Sequence, residues 1–282
     1  MTLLIEPEML ATLMKDKHLV VLDARFSLAD PKQGRVMYSQ GHIPGARYAD
    51  LESDLSGLII PGKTGRHPLP EQADWQATLR RWGIDRDAQV VVYDDGGHAM
   101  AARAWWLLRW AGITHAMILH GGMKAWQAGR YPVTTDVPEV VESQGDFTIG
   151  HMPTVSAQDL MAQLETEGGP GHKLIDARAY ERFRGEEETM DSLAGHIPGA
   201  VCHPFTENLD DNGRFFSADH LREIFTSLVG EDSRPVFYCG SGVTACHNIF
   251  AMELAGLSGA TLYPGSWSEW ITDSRHPVAR GR

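Results

Sequence analysis

At 282 residues the chain is longer than a typical domain of roughly 100 to 150 residues, so one large domain or two ordinary ones are the options. Its 43% hydrophobic and 22% charged residues exclude an intrinsically disordered chain. The formal net charge of −12 repels phosphate backbones and anionic lipid, so neither nucleic acid nor a membrane surface is an expected partner, and an anionic substrate would need local positive charge.

The opening stretch M-T-L-L-I-E-P-E-M-L lacks the basic and long apolar regions of a signal peptide. No uncharged apolar run reaches the roughly 18 residues of a membrane span, since even A-W-W-L-L-R-W-A-G-I is cut by Arg109; a cytoplasmic location is expected. Short β-branched runs then follow one another: V-V-L (20–22), V-V-V-Y (90–93) and A-M-I-L (116–119). Between them lie helix-like stretches such as A-D-W-Q-A-T-L-R-R-W (73–82). The segment 134–154 is polar, acidic and punctuated by Pro and Gly, as a linker is, although part of it could pair as an edge strand. Beyond it the alternation resumes with K-L-I (173–175), A-D-H-L-R-E-I-F-T-S-L (218–228), P-V-F-Y (235–238) and A-T-L-Y (260–263). Continuous apolar strands separated by helices predict an α/β fold, with parallel sheets covered on both faces.

The resumption is a repetition. V-V-L-D-A-R (20–25) returns as K-L-I-D-A-R (173–178), and G-H-I-P-G-A occurs at 41–46 and again at 195–200. G-R-H-P-L-P (65–70) is echoed by G-R-F-F-S-A (213–218), and H-G-G-M-K-A-W (120–126) by P-G-S-W-S-E-W (264–270). The pattern predicts two domains, 1–133 and 154–282, joined by a linker over 134–153.

A duplicated domain is its own control: what both halves carry serves the fold, and what one half carries is a candidate for chemistry. By that test His42 and His196, in the repeated G-H-I-P-G-A turn, are structural, as are Asp23-Ala24-Arg25 and Asp176-Ala177-Arg178. Three differences survive. Cys239 stands where the other half has Asp94, Arg182 where it has Ala29, and His67 where the second half has Phe215.

Cys239 follows an apolar strand and precedes Gly240-Ser241-Gly242-Val243-Thr244-Ala245 and a helix-like run, which would place its sulfur at a helix N-terminus. Unsatisfied amides and the helix dipole there favour an anion, and thiols in such settings ionise more readily than free cysteine. Gly240 and Gly242 are expected to adopt backbone angles closed to other residues, so that consecutive amides converge into a nest for a thiolate or for a charged sulfur attached to it. Cys246 and Cys202 are expected to be structural, with a resolving-thiol role for Cys246 as the alternative. Three cysteines without zinc-type C-x-x-C spacing argue against a disulfide scaffold or a structural metal.

Two other uses of this loop are disfavoured. Gly240–Ala245 satisfies a dinucleotide-binding G-x-G-x-x-A, but the region near position 260 has no carboxylate where the second strand of such a unit would end. A cysteine phosphatase loop carries an arginine six positions after the cysteine, and position 245 is Ala.

Taken together, both G-H-I-P-G-A turns, Tyr93-Asp94-Asp95, R-F-R-G (182–185), C-G-S-G-V-T-A (239–245) and G-S-W-S-E-W (265–270) resemble the tandem-domain sulfurtransferases of the rhodanese and 3-mercaptopyruvate sulfurtransferase type. The resemblance runs essentially end to end. It implies two rhodanese-like domains, each a small parallel sheet flanked by helices, the first without the nucleophile, and an active site between them. It implies that Cys239 takes a sulfane sulfur from mercaptopyruvate or thiosulfate as a persulfide and passes it to a thiol, a thioredoxin-like protein or cyanide, without cofactor or metal. Arg182 would bind the anionic donor, and the amides of Gly240, Gly242, Val243 and Thr244 would surround the persulfide. Ser241 and His67 would form a relay, with Glu52 or Asp50 as its acidic member. The uncharged Gly240 and Ser241 lean toward the mercaptopyruvate branch. The acidic loop E-E-E-T-M-D-S-L-A (186–194) departs from it, lacking the second arginine usual there. The alternative is a persulfide carrier or partner-binding module with little turnover.

Overall fold

A computed structural model describes residues 2–165, 173–230 and 234–281. These fall into two compact units. One holds the chain up to Gly57, together with Leu69–Met152 and Asp211–Arg214; the other holds Leu58–Pro68, Pro153–Asp210 and the chain from Phe215 onward. Each half of the sequence thus contributes a short Gly-Arg segment to the unit built mainly by the other.

In the first unit the elements run β1 (Leu4–Ile5), α1 (Pro7–Leu13), β2 (Leu19–Asp23), α2 (Gln33–Gln40), β3 (Arg47–Tyr48), α3 (Gln72–Arg81), β4 (Gln89–Tyr93), α4 (Ala99–Trp110), β5 (Ala116–Leu119) and α5 (Gly122–Ala128). The strands form one sheet in the order β1-β5-β4-β2-β3, and every pairing is parallel. In the second unit they run α6 (Ala157–Leu164), β6 (Leu174–Asp176), α7 (Tyr180–Arg184), β7 (Val201–Cys202), a 3-10 turn (Phe205–Asn208), α8 (Ala218–Val229), β8 (Val236–Tyr238), α9 (Thr244–Leu254), β9 (Thr261–Leu262) and α10 (Ser266–Trp270). Their sheet is again parallel, in the order β7-β6-β8-β9. Parallel strands need crossover connections, and the buried helices α4 and α9 supply the central ones. The α/β architecture predicted from the alternating runs is the one observed.

The residues that survive in both halves make the same contacts twice. Arg25 reaches back to Asp23 and to the Gly41 carbonyl at 2.7 Å, and Arg178 does the same with Asp176 and the Gly195 carbonyl at 2.6 Å. The Tyr93 and Tyr238 hydroxyls accept from the amides of Ile43 and Ile197, both at 3.2 Å, so the strand end and the G-H-I-P turn are tied together in each unit. His42 stacks on Tyr38 with ring centroids 3.9 Å apart, and His196 on Phe183 at 3.7 Å. Each imidazole also uses Nδ1 on a main-chain carbonyl, that of Tyr38 or of Phe183, at 2.8 Å. These histidines are framework, each with a ring face and a ring nitrogen committed to holding a turn.

The polar stretch after Thr134 lies against the first unit. Thr134 bridges His42, Ser143 Oγ donates to the Ile84 carbonyl at 2.6 Å, and Phe147 is buried. Backbone groups exposed at the C-terminal ends of α3 and α4 are thereby met by residues 143–151.

The ion pair Asp176–Arg178 is fully buried, so removing one partner strands a charge. Arg178→Met is expected to lower stability by about 3–5 kcal/mol, read as a fall in the denaturation midpoint, whereas a change under about 1 kcal/mol would show the pair to be dispensable.

Candidate active site

Cys239 follows directly on β8, and α10 seats it. The Cys239 amide donates to Ser266 Oγ at 3.1 Å, while its carbonyl and that of Gly240 accept from the amides of Trp267 and Ser268, both at 2.9 Å. The G-S-W-S-E-W motif is therefore the socket of the cysteine loop. Gly242 has φ +80°, and a methyl group on it would lie 2.4 Å from the Pro264 carbonyl oxygen. Both facts demand glycine. Gly240 is different from expectation: its φ is not in the left-handed region, and the reason for glycine is space. A methyl there would sit 2.8 Å from Arg66 Nη2 and 3.5 Å from Arg182 Nη1.

The sulfur is buried and accepts from the Gly242 amide at 3.1 Å. Val243, also buried, precedes the first turn of α9, where Thr244 begins the helix. The amides of Gly240, Ser241, Val243 and Thr244 donate to no other group among the described residues. In the first unit the matching corner is closed from within: the Asp94 carboxylate accepts from the amides of Gly96, His98, Met100 and Ala101, at 2.9 to 3.2 Å. Gly96 and His98 are the counterparts of Ser241 and Val243. The loops are not copies in detail, since positive φ falls on Gly96 and His98 in one and on Gly242 in the other. Asp94 draws four amides and Cys239 one, that of Gly242, so replacing aspartate by cysteine leaves the corner without its built-in anion.

His67 Nδ1 and Ser241 Oγ are 2.8 Å apart and both residues are buried, so the pair expected from the sequence is formed. Asp50 and Glu52 belong to the first compact unit, where Asp50 Oδ1 accepts from the amides of Glu52 and Ser53 and Glu52 is exposed. Cys246 Sγ donates to the Gly242 carbonyl at 3.2 Å, tying the first turn of α9 to the loop. Cys202 Sγ donates to the Arg178 carbonyl at 3.3 Å, and burial beside Asp176 pushes its thiol up, away from ionisation.

Arg182, on α7, holds Glu188 through Nε and Nη2 and reaches Asp191 with Nη2 at 2.9 Å. Arg66, matched in the repeat by Arg214, ion-pairs with the other oxygen of Asp191 and brings Nη2 to Gly240. Its repeat partner Arg214 instead holds Glu6 at 2.8 Å. Shared position did not mean shared role, and the signal that distinguishes the two is the acidic loop 186–194. Burial opposes the Glu188 carboxylate, yet hydrogen bonds from Arg182 and from the Met190 amide hold it below the usual carboxylate range. Asp191 goes the other way, pushed up by burial, with Glu188 beside it, despite Arg66 and Arg182.

Fold and site define an α/β protein of two like units, one bearing a cysteine in an amide cradle flanked by arginines and a Ser–His pair. The profile of the rhodanese-like domain matches residues 6–129 and again 156–273. A probable 3-mercaptopyruvate sulfurtransferase of Pseudomonas aeruginosa is 49% identical over 99% of this chain and 98% of its own length. A putative thiosulfate sulfurtransferase of Mycobacterium tuberculosis is 43% identical over 93% of this chain and 90% of its own. Among solved structures, a 3-mercaptopyruvate sulfurtransferase from Leishmania major superposes with a TM-score of 0.86 at 30% identity, covering 98% of this chain and 76% of that one. The chain belongs to the family of rhodanese-domain sulfurtransferases.

Asp94→Ala is expected to destabilise the protein by about 1–3 kcal/mol, because four amides lose their acceptor, and to leave the rate of Cys239 alkylation unchanged. Calorimetry and iodoacetamide labelling check the two halves of this statement.

Proposed function

We propose that Cys239 carries sulfur as a persulfide, taken from mercaptopyruvate or thiosulfate and passed to a thiol or cyanide. The observation that carries this reading is the amide cradle. In Asp94 the anionic oxygens lie two bonds beyond Cβ, and they are met by four amides. In a cysteine persulfide the outer, charged sulfur also lies two bonds beyond Cβ. The loop after Cys239 offers unengaged amides at the positions that serve Asp94 Oδ1 in the other unit.

With thiosulfate, the Cys239 thiolate attacks the outer sulfur, the S–S bond breaks, and sulfite departs with the bonding pair. With mercaptopyruvate, attack on the thiol sulfur breaks its bond to carbon. The pair then leaves on the pyruvate enolate, which takes a proton to become pyruvate. An acceptor thiolate then attacks the outer sulfur, and Cys239 returns as thiolate. Arg182 attracts the donor's anionic group. Ser241 and His67 stand within hydrogen-bonding reach of each other beside the sulfur loop, as a route for the proton the enolate requires. Sulfite needs none. A thioredoxin-like acceptor fits this chemistry as a thiol source. Among the described residues no helix is long and apolar enough to cross a membrane.

Incubation with either donor is expected to add one sulfur atom to the intact mass of the protein, removable by cyanide; Cys239→Ser should gain none, and retained transfer in that variant would refute the assignment. His67→Ala is expected to lower kcat with mercaptopyruvate by about 10²-fold while affecting thiosulfate far less, and equal losses would remove the proton-delivery role. Arg182→Ala is expected chiefly to raise the KM of the donor.

A further inference from the structure

Asp191 lies between two arginines and beneath them. Its Oδ1 takes Arg66 Nη1 and its Oδ2 takes Arg182 Nη2, while Glu188 takes Arg182 Nε and Nη2. The two carboxylates are only 3% exposed, against 29% for the Arg66 side chain and 20% for that of Arg182. Each guanidinium spends one edge on buried acid while terminal nitrogens of both stand near Gly240: Arg66 Nη2 lies 2.8 Å, and Arg182 Nη1 and Nη2 3.5 and 3.6 Å, from where a methyl on that glycine would sit. Arg66 Nε is buried and donates to nothing among the described residues. Hydrogen-bond donors thus converge on the mouth of the loop with fixed geometry, but the four charges behind them, two positive and two negative, sum to zero. Arg178 adds no net charge, since it is paired with Asp176.

Such a clamp has donors for one anionic group and little field to hold a second charge. A single carboxylate can accept from the free nitrogens of both arginines. A second negative charge placed there meets Asp191 and Glu188 at short range in a poorly solvated setting, where like charges repel strongly.

We propose that Arg66 and Arg182, bridged by Asp191, form a charge-balanced clamp that takes monoanionic sulfur donors in preference to dianions, with Asp191 the residue that sets the preference. The proposal rests on the sulfur-transfer reading of Cys239 and narrows it to donors of the α-keto acid thiol class.

The test compares kcat/KM for mercaptopyruvate and thiosulfate at constant ionic strength in the wild type and in Asp191→Asn, which keeps the shape and removes the charge. The thiosulfate-to-mercaptopyruvate ratio is expected to rise by about tenfold in the variant, and an unchanged ratio overturns the proposal. The wild type gives a second arm that needs neither turnover nor a folded variant: protection of Cys239 from iodoacetamide by pyruvate, a monoanion, or by sulfate, a dianion. Pyruvate is expected to protect at about tenfold lower concentration, and equal or better protection by sulfate overturns the clamp. If neither donor leaves sulfur on Cys239, the sulfur-transfer reading fails, and the protection assay still decides the clamp.

Discussion

The structure turns on a set of backbone amides that converge where a parallel strand gives way to a helix. Parallel sheets place such corners at the carboxyl ends of their strands, and the amides at the start of the following helix have no intrahelical acceptor. An acceptor from outside the helix must meet them or they go unpaired. In the first unit that acceptor is built in, the carboxylate of Asp94. In the second it is a cysteine sulfur, which accepts the Gly242 amide and leaves neighbouring amides without a partner among the described residues. A cost of this kind, where the matching corner of the first unit is satisfied, points to where function is located.

Duplication makes the argument quantitative within one molecule. The Asp–Arg pairs, the stacked histidines and the Tyr hydroxyls recur with distances that agree to within about 0.2 Å, as expected of parts that only hold strand ends and turns together. Against that background the exchange of Asp94 for Cys239 stands out as a change of chemistry without a change of framework. Removing shared features from consideration fails in one instructive place. Arg66 and Arg214 occupy matching positions, yet one serves Asp191 beside Gly240 and the other serves Glu6.

Electrostatics around the sulfur are arranged by pairing rather than by excess charge. In a chain of net charge −12, positive groups are gathered near the sulfur loop as arginines whose charges are offset by carboxylates buried beneath them. Guanidinium groups suit this because a planar fork can hold an acid with one edge and a substrate with the other. The acidic loop 186–194 thereby joins two arginines from separate parts of the sequence, Asp191 pairing with both Arg66 and Arg182.

Much of this was legible before any coordinates. The alternation of apolar runs and helical stretches specified parallel α/β layers, repetition of D-A-R and G-H-I-P-G-A specified two of them, and the glycines after Cys239 specified that this cysteine sits at a strand-to-helix corner. These are local properties: strand propensity, turn chemistry and helix starts depend on residues near in sequence, so the sequence alone determined them. Pairings between residues far apart along the chain could be reached only in three dimensions. His67 meets Ser241 across 174 positions and Arg66 meets Asp191 across 125, and the reason Gly240 must lack a side chain is the presence of those guanidiniums. Nothing in the spacing of such residues encodes their contact, because it arises from how the packed sheet and helices bring separate segments to one corner, and there the tertiary structure decided which charges cancel and which nitrogens stay free.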